Sequence, residues 1–286
     1  MQTVHDRETL KNTLGQLRAD GSLLALVPTM GALHAGHMTL VEAAKQQADR
    51  VAVSIFVNPT QFGPNEDLDA YPRQLAEDSA LLKEADVDLL WAPTAEAMYP
   101  GGFETVIRVP DISMGLCGGS RPGHFDGVAT VVCKLLNQIG PDIALFGEKD
   151  YQQLAVIRRM VRDLDMVPQI IGVPTVRDDD GLALSSRNAY LTADERQRAT
   201  TLPDAIREAI ATIEAGCDMA KVLEALTKKL SDAGFDPIDY AEIRHADTLA
   251  QLSDEKIDNG PFPARLLVAA RLGKTRLIDN WPLTVP

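Results

Sequence analysis

The chain has 286 residues, of which 45% are hydrophobic and 24% charged, and a formal net charge of −13. This is the composition of a packed globular protein of one large or two modest domains rather than of a disordered chain, and its acidity argues against nucleic acid, whose binding needs clustered Lys and Arg. No apolar run approaches the roughly 20 residues of a membrane span, the opening MQTVHDRETLKNTL lacks the basic-then-apolar order of a signal peptide, and Cys117, Cys133 and Cys217 are too scattered for a disulfide framework or a zinc site, so the expectation is a cytoplasmic protein with no membrane partner.

Residues 23–27 and 51–57 are short apolar runs rich in β-branched side chains, and between them 36–49 carries helical periodicity at Leu40, Ala43, Ala44 and Ala48. That is a βαβ unit, hence parallel strands. The alternation continues with a helix over 73–85, a strand at 87–91, a helix over 127–138, a strand at 143–146, a helix over 151–164 and a strand at 169–173. The series predicts an α/β fold, a doubly wound parallel sheet that binds ligands at the carboxyl ends of its strands. Beyond Val176 the pattern changes to two amphipathic helices, 192–215 and 219–233, and strand-like runs at 239–244, 264–270 and 275–278. The expected domains are 1–176 and a smaller C-terminal α+β domain, 177–286. The turn with Asp178, Asp179, Asp180 and Gly181 between them reads either as solvated or as a hinge.

The loop PTMGALHAGH follows a strand and opens a helix, where backbone N–H groups and the helix dipole favour an anion. Gly31 and Gly36 have P-loop spacing, but His37 and Met38 stand where Lys and Ser/Thr are needed, so a Walker NTPase is disfavoured; a nicotinamide site is disfavoured by the lack of G-x-G-x-x-G. His34 and His37 share one helix face and can reach one phosphate, two ligand-free histidines at a helix end being the plainer alternative. A metal pair would lack the Glu of H-E-x-x-H. Lys149, in GEKD at the end of a strand, can set a point charge on a phosphate, although an isolated Lys–Asp pair is more often a surface pair. Gln61 in NPTQFG offers donor and acceptor to hydroxyls or a carboxylate, and Arg121 in RPGHFDG suits an anionic substrate; a plain loop is the alternative for each. Ser185, Ser186, Arg187 and Asn188 read alone as a turn or cap and, after the Asp178 run, as a mobile clamp on a triphosphate.

The H-x-G-H loop resembles that of the adenylyl-transfer superfamily, which includes class I aminoacyl-tRNA synthetases and whose second signature is a basic, Ser-containing loop comparable to LSSRN. PTMGALHAGH, FVNPTQFGPNEDLDAYPR, RPGHFDGV, DIALFGEKDYQQL and GLALSSRNAYL stand in order between Val27 and Asn280, and with them the chain resembles the pantothenate synthetases. The resemblance implies a Rossmann-like N-terminal domain, a closing C-terminal lid and a homodimer. The implied reaction is ATP-dependent ligation of pantoate to β-alanine through a pantoyl adenylate, with Mg²⁺ accompanying the triphosphate. It also implies that Met30, Gly31, Ala32, Leu33, His34, Ala35, Gly36, His37, Gly147, Glu148, Lys149, Asp150, Val176, Leu184, Ser185, Ser186 and Arg187 contact ATP. His37 would donate a proton and stabilise charge, with His34, Lys149, Ser186 and Arg187 as further catalytic groups, and Gln61 and Gln153 would bind pantoate, Gln61 also β-alanine. Asp78 is the carboxylate considered for Mg²⁺, and read alone it is a helix-surface residue. Asp86 departs from the family, which usually ends that helix with Gly. Two rival readings are another H-x-G-H nucleotidyltransferase, which leaves its nucleotide on the product, and a nucleotide-sensing or RNA-binding module without catalysis.

Overall fold

A computed structural model describes residues 1–64, 66–252 and 261–285; Asn65, in the NPTQFGPNED stretch, lies outside the described residues. The chain divides into two compact units, one of Met1–Ser113, Arg121–Glu148 and Val156–Pro174, the other of Met114–Ser120, Lys149–Ala155 and Thr175–Pro286. The second unit therefore takes in 114–120 and 149–155, two stretches that precede residue 177.

The first unit is built on a six-stranded sheet of β1 (Gln2–Val4), β2 (Leu24–Thr29), β3 (Arg50–Ile55), β4 (Leu89–Trp91), β5 (Ile143–Gly147) and β6 (Gln169–Val173). The order is β1-β4-β3-β2-β5-β6 and every neighbouring pair is parallel. Leu24, Ala25, Leu26 and Val27 are fully buried, as a strand covered on both faces requires. From β2 the chain winds through β3 towards β4, whereas β5 and β6 lie on the other side of β2. The order thus reverses between β2 and β5, the point where such sheets leave a crevice at their carboxyl ends. The PTMGALHAGH loop leaves β2 there, and Gly147 and Glu148 close β5.

Helix Ala35–Gln47 buries Leu40, Val41 and Ala44, and helix His124–Ile139 is apolar on most of its surface. Helix Leu75–Glu84 ends at Asp86, which takes φ 54. Asp thus adopts the left-handed conformation that Gly provides without strain, at a cost of roughly 1–2 kcal/mol. Sequence pattern does not reveal β1 or helix Arg7–Leu17, whose buried residues are Val4 and Leu10, Thr13 and Leu14; so few apolar positions carry no clear period.

The second unit packs helices Thr201–Glu214 and Met219–Asp232 on an antiparallel sheet of β7 (Phe235–His245), β8 (Phe262–Leu272) and β9 (Thr275–Val285), in the order β7-β8-β9. Leu202, Ile206, Leu226, Leu230, Leu266 and Val268 form its core. The single helix expected over 192–215 is two, Ala193–Ala199 and Thr201–Glu214. Pro203 has no N–H to give the Ala199 carbonyl, so the helical ladder breaks at Thr200. β9 runs seven residues past the expected 278, through Asp279, Asn280 and Pro282, residue types that strands disfavour.

Candidate active site

The loop between β2 and helix Ala35–Gln47 is fixed from below by Asp78. Its Oδ2 accepts from Ala32 N at 3.0 Å and its Oδ1 from Leu33 N at 2.8 Å, and the residue is fully buried. Asp78 is therefore neither a helix-surface residue nor suited to Mg²⁺: its oxygens satisfy amides that would otherwise be orphaned in the interior. Gly31 has φ 81, and a Cβ there would stand 3.0 Å from Asp78 Oδ2, so this turn admits Gly alone without strain. Met30 and Gly31 also wall a cavity of ≈ 480 Å³ that extends past Phe56 and Pro59.

Above this brace, His34 is the N-cap of the helix. Its Nδ1 accepts from Gly36 N at 3.2 Å, and His37 Nδ1 accepts from His34 N at 3.3 Å. The ring centroids are 4.1 Å apart. A nitrogen that accepts an N–H carries a lone pair, so each neutral ring holds its proton on Nε2. Two imidazole N–H donors thus sit at the positive end of a helix that starts at the crevice, an arrangement suited to phosphate oxygens.

Gln61 is buried in the Pro59–Gln61 turn after β3. Its Oε1 accepts from Asn58 Nδ2 at 3.1 Å, and its Nε2 donates to Met30 Sδ at 3.0 Å. Asn58 also binds the Gly127 carbonyl (3.2 Å) and accepts from the Tyr99 hydroxyl (2.8 Å), whose pKa is raised by burial, so it stays a donor. Arg121, expected to suit an anionic substrate, has partners within the protein. Its Nε and Nη2 donate to the Glu66 carboxylate at 2.7 and 2.5 Å, Nη1 to His124 Nε2 at 3.0 Å and Nη2 to the Gln61 carbonyl at 3.4 Å. Four of its five N–H groups are engaged within the protein, and it braces the Gln61 turn. Burial pushes the Glu66 carboxyl up, but the hydrogen bonds and charge of Arg121 outweigh it and hold the group below the usual range.

In the second unit, Lys149 Nζ lies 3.7 Å from Asp150, and the Lys149 carbonyl accepts from Asn280 Nδ2 at 2.9 Å. Gln153 is half-buried in the first turn of helix Tyr151–Asp163. Val176 and Leu184 face each other across a hairpin, Leu184 N donating to the Val176 carbonyl at 3.0 Å. Gly181, at φ 87, makes the tip. Arg196 binds both Asp178 (2.8 Å) and Asp180 (2.7 Å), and its hydrogen bond to Asp180 holds that carboxyl below the usual range. The Asp178–Gly181 run is thus tied to helix Ala193–Ala199 through Arg196, while Asp179 and Asp180 remain exposed. Ser185 caps the 3₁₀ turn Ser186–Tyr190 by accepting from Arg187 N at 3.3 Å. Asn58, Tyr99, Arg177, Asp279 and Asn280 escape sequence reasoning, although Asn280 lies at the end of the stretch that resembles the family.

A family model described as pantoate-beta-alanine ligase matches residues 2–282. A pantothenate synthetase of Novosphingobium aromaticivorans is 59% identical over 98% of this chain and 98% of its own, and one of Pseudomonas savastanoi is 53% identical over 99% of each. Among solved structures, the pantothenate synthetase from Thermus thermophilus superposes with a TM-score of 0.90 at 47% identity, covering 98% of this chain and 99% of that one. The ligase from Francisella tularensis, solved with beta-gamma ATP and beta-alanine, gives 0.80 at 37% identity, covering 98% and 97%. A match of this length and identity extends well beyond a shared nucleotide fold, and the chain belongs to the pantoate–β-alanine ligase family.

Proposed function

We propose that this chain condenses pantoate with β-alanine at the expense of ATP, through pantoyl adenylate, releasing AMP and pyrophosphate. A carboxylate does not acylate an amine at neutral pH, because oxide would have to leave. Attack of the pantoate carboxylate on the α-phosphate makes that oxygen part of AMP, a good leaving group, and the task of the protein is positioning and charge stabilisation.

The reading rests on one observation above all: the paired imidazoles at the helix start, each with its proton fixed on Nε2 by a main-chain N–H. In it His37, with His34, donates hydrogen bonds to the charge that develops on the phosphates as pyrophosphate leaves. Met30, Gly31, Ala32, Leu33, Ala35 and Gly36 line the same nucleotide contact, as do Gly147, Glu148, Asp150, Val176, Leu184 and Ser185. Lys149, Ser186 and Arg187 add positive charge and donors from the smaller domain, 177–286 with the 149–155 stretch, which acts as a lid that keeps water from the adenylate. Gln61 orients pantoate and receives β-alanine by exchanging its weak Met30 thioether partner for a substrate oxygen, and Gln153 also holds pantoate. Mg²⁺ is assigned to the triphosphate it arrives with. The described residues contain no group of three or more His, Cys, Asp or Glu that would keep a resident ion. Homodimeric assembly in the cytoplasm completes the reading; among the described residues no helix is long and apolar enough to cross a membrane.

The test is ATP turnover with Mg²⁺ and pantoate, following pyrophosphate, AMP and pantothenate with and without β-alanine. Sustained AMP and pantothenate formation that needs both acids is the expected result. A nucleotide retained on the product would favour another nucleotidyltransferase, and no pantoate-dependent turnover would overturn the reading.

A further inference from the structure

Asp279 and Asn280 are adjacent on β9 and only 2% and 4% exposed. A buried carboxylate and a buried amide in mid-strand destabilise the fold unless they are bonded, so their partners indicate their purpose. Asp279 accepts Arg177 through two parallel bonds, Nη1 to Oδ2 at 2.7 Å and Nη2 to Oδ1 at 2.8 Å, and also the Asn280 N–H at 2.7 Å and Trp281 Nε1 at 3.3 Å. The Arg177 guanidinium lies 4.1 Å from the Trp281 ring centroid. Arg177 Nη1 donates onward to the Gly181 carbonyl at 3.0 Å, closing the hairpin whose second arm leads to Leu184, Ser185, Ser186 and Arg187. Asn280 projects to the opposite face of the strand and donates to the Lys149 carbonyl at 2.9 Å. The Ser186–Tyr190 turn also packs on β9.

We infer that Asp279 and Asn280 are positioning residues for the adenylation step: one strand clamps, through neighbouring side chains, the two segments that carry Lys149 and Ser186–Arg187. Neither residue acts on the nucleotide itself; each fixes the main chain from which a charged or hydroxyl group projects. A bidentate buried pair holds the hairpin in one orientation, which a single flexible Lys contact would not. The inference rests on the ligase reading above, and it assigns these residues to the first half-reaction only, because the groups they hold are those proposed for the triphosphate.

The test separates the halves of the reaction in the full-length protein. Pantoate-dependent exchange of pyrophosphate into ATP reads adenylation, and aminolysis of preformed pantoyl adenylate by β-alanine reads the second step. Asn280→Asp keeps the side-chain size but removes the donor to Lys149, and Asp279→Asn removes the charge that orients Arg177. Each is expected to slow exchange by roughly 10- to 100-fold, the scale of a displacement near 1 Å, with aminolysis little changed. Ile213→Val, in the core of the same unit, is the control for stability alone: removing a buried methyl is expected to lower Tm and to leave exchange intact. If both halves fall together in step with Tm, or neither falls, Asp279 and Asn280 serve the fold alone and the inference is overturned. Wild-type protein without pantoate-dependent exchange would instead sink the ligase reading, and this inference with it.

Discussion

Three histidines of the first unit stand at helix starts, and they differ in where the proton sits. At His34 and His37 the main chain occupies Nδ1, which leaves the proton on Nε2. At His124 the ring bridges two protein groups: Nδ1 lies 2.8 Å from the Gln61 carbonyl, an acceptor, and Nε2 lies 3.0 Å from Arg121 Nη1, a donor. That fixes the opposite tautomer and makes the ring a strut between Arg121 and the Gln61 turn. The same residue type at the same kind of position thus carries its proton on Nε2, as the proposed reading of His34 and His37 requires, or serves as a piece of framework, according to whether the main chain offers Nδ1 an N–H or a carbonyl.

The sharpest way to break this contrast is to remove one ring from the pair. His37→Ala is expected to lower kcat by about 10²- to 10³-fold, the usual loss of a donor aimed at transition-state charge, while ATP affinity falls far less. Equilibrium binding of ATP beside steady-state rates decides it: equal losses in both would make His37 a binding residue only. Gly127→Ala attacks the framework side. A Cβ there would collide with the Thr60 carbonyl and stand 2.7 Å from Gln61 N. The expected outcome is a stability loss of about 1–3 kcal/mol from overpacking, seen as a lower Tm, and a raised KM for pantoate with the KM for ATP held. His124→Phe keeps a ring but leaves the Gln61 carbonyl and Arg121 each short of a partner, at a comparable cost of about 1–3 kcal/mol. Its signature is a higher pantoate KM at near-normal kcat; a kcat loss like that of His37→Ala would erase the distinction between the two kinds of histidine.

Much of the first unit is legible in the sequence because parallel strands buried on both faces read as unbroken apolar runs, and the 3.6-residue period between them marks the helices. The reversal between β2 and β5 puts PTMGALHAGH and the end of β5 at one crevice, which the alternation alone suggests. The partners of charged groups are not legible. Nothing in the sequence marks Glu66 as the partner of Arg121, and Asp78 looks like a surface carboxylate until the Ala32 and Leu33 amides are found on it. These contacts join residues 46 and 55 positions apart, so no local pattern encodes them. The kink at Thr200 had a local signal, Pro203, whereas the extension of β9 through Asp279 and Asn280 is set by the register with β8 and by the partners those side chains find.

The smallest effect expected is the pH dependence carried by Glu66, and it tests whether the strut around His124 needs its charge. The folded pKa of Glu66 lies below its unfolded value, so its pairing with Arg121 stabilises the protein fully above the unfolded value, about 4.3, and that stabilisation is lost as pH falls through the depressed folded value. Glu66→Gln keeps the shape but not the charge. At neutral pH the variant should be less stable than wild type by at most about 1 kcal/mol, because the pair is only partly shielded from water. The two denaturation curves should converge only once pH has fallen below the depressed folded value, where wild-type Glu66 is protonated as well. A gap that persists unchanged into acid would mean that shape, not charge, holds Arg121 against His124, and the strut would then work through packing.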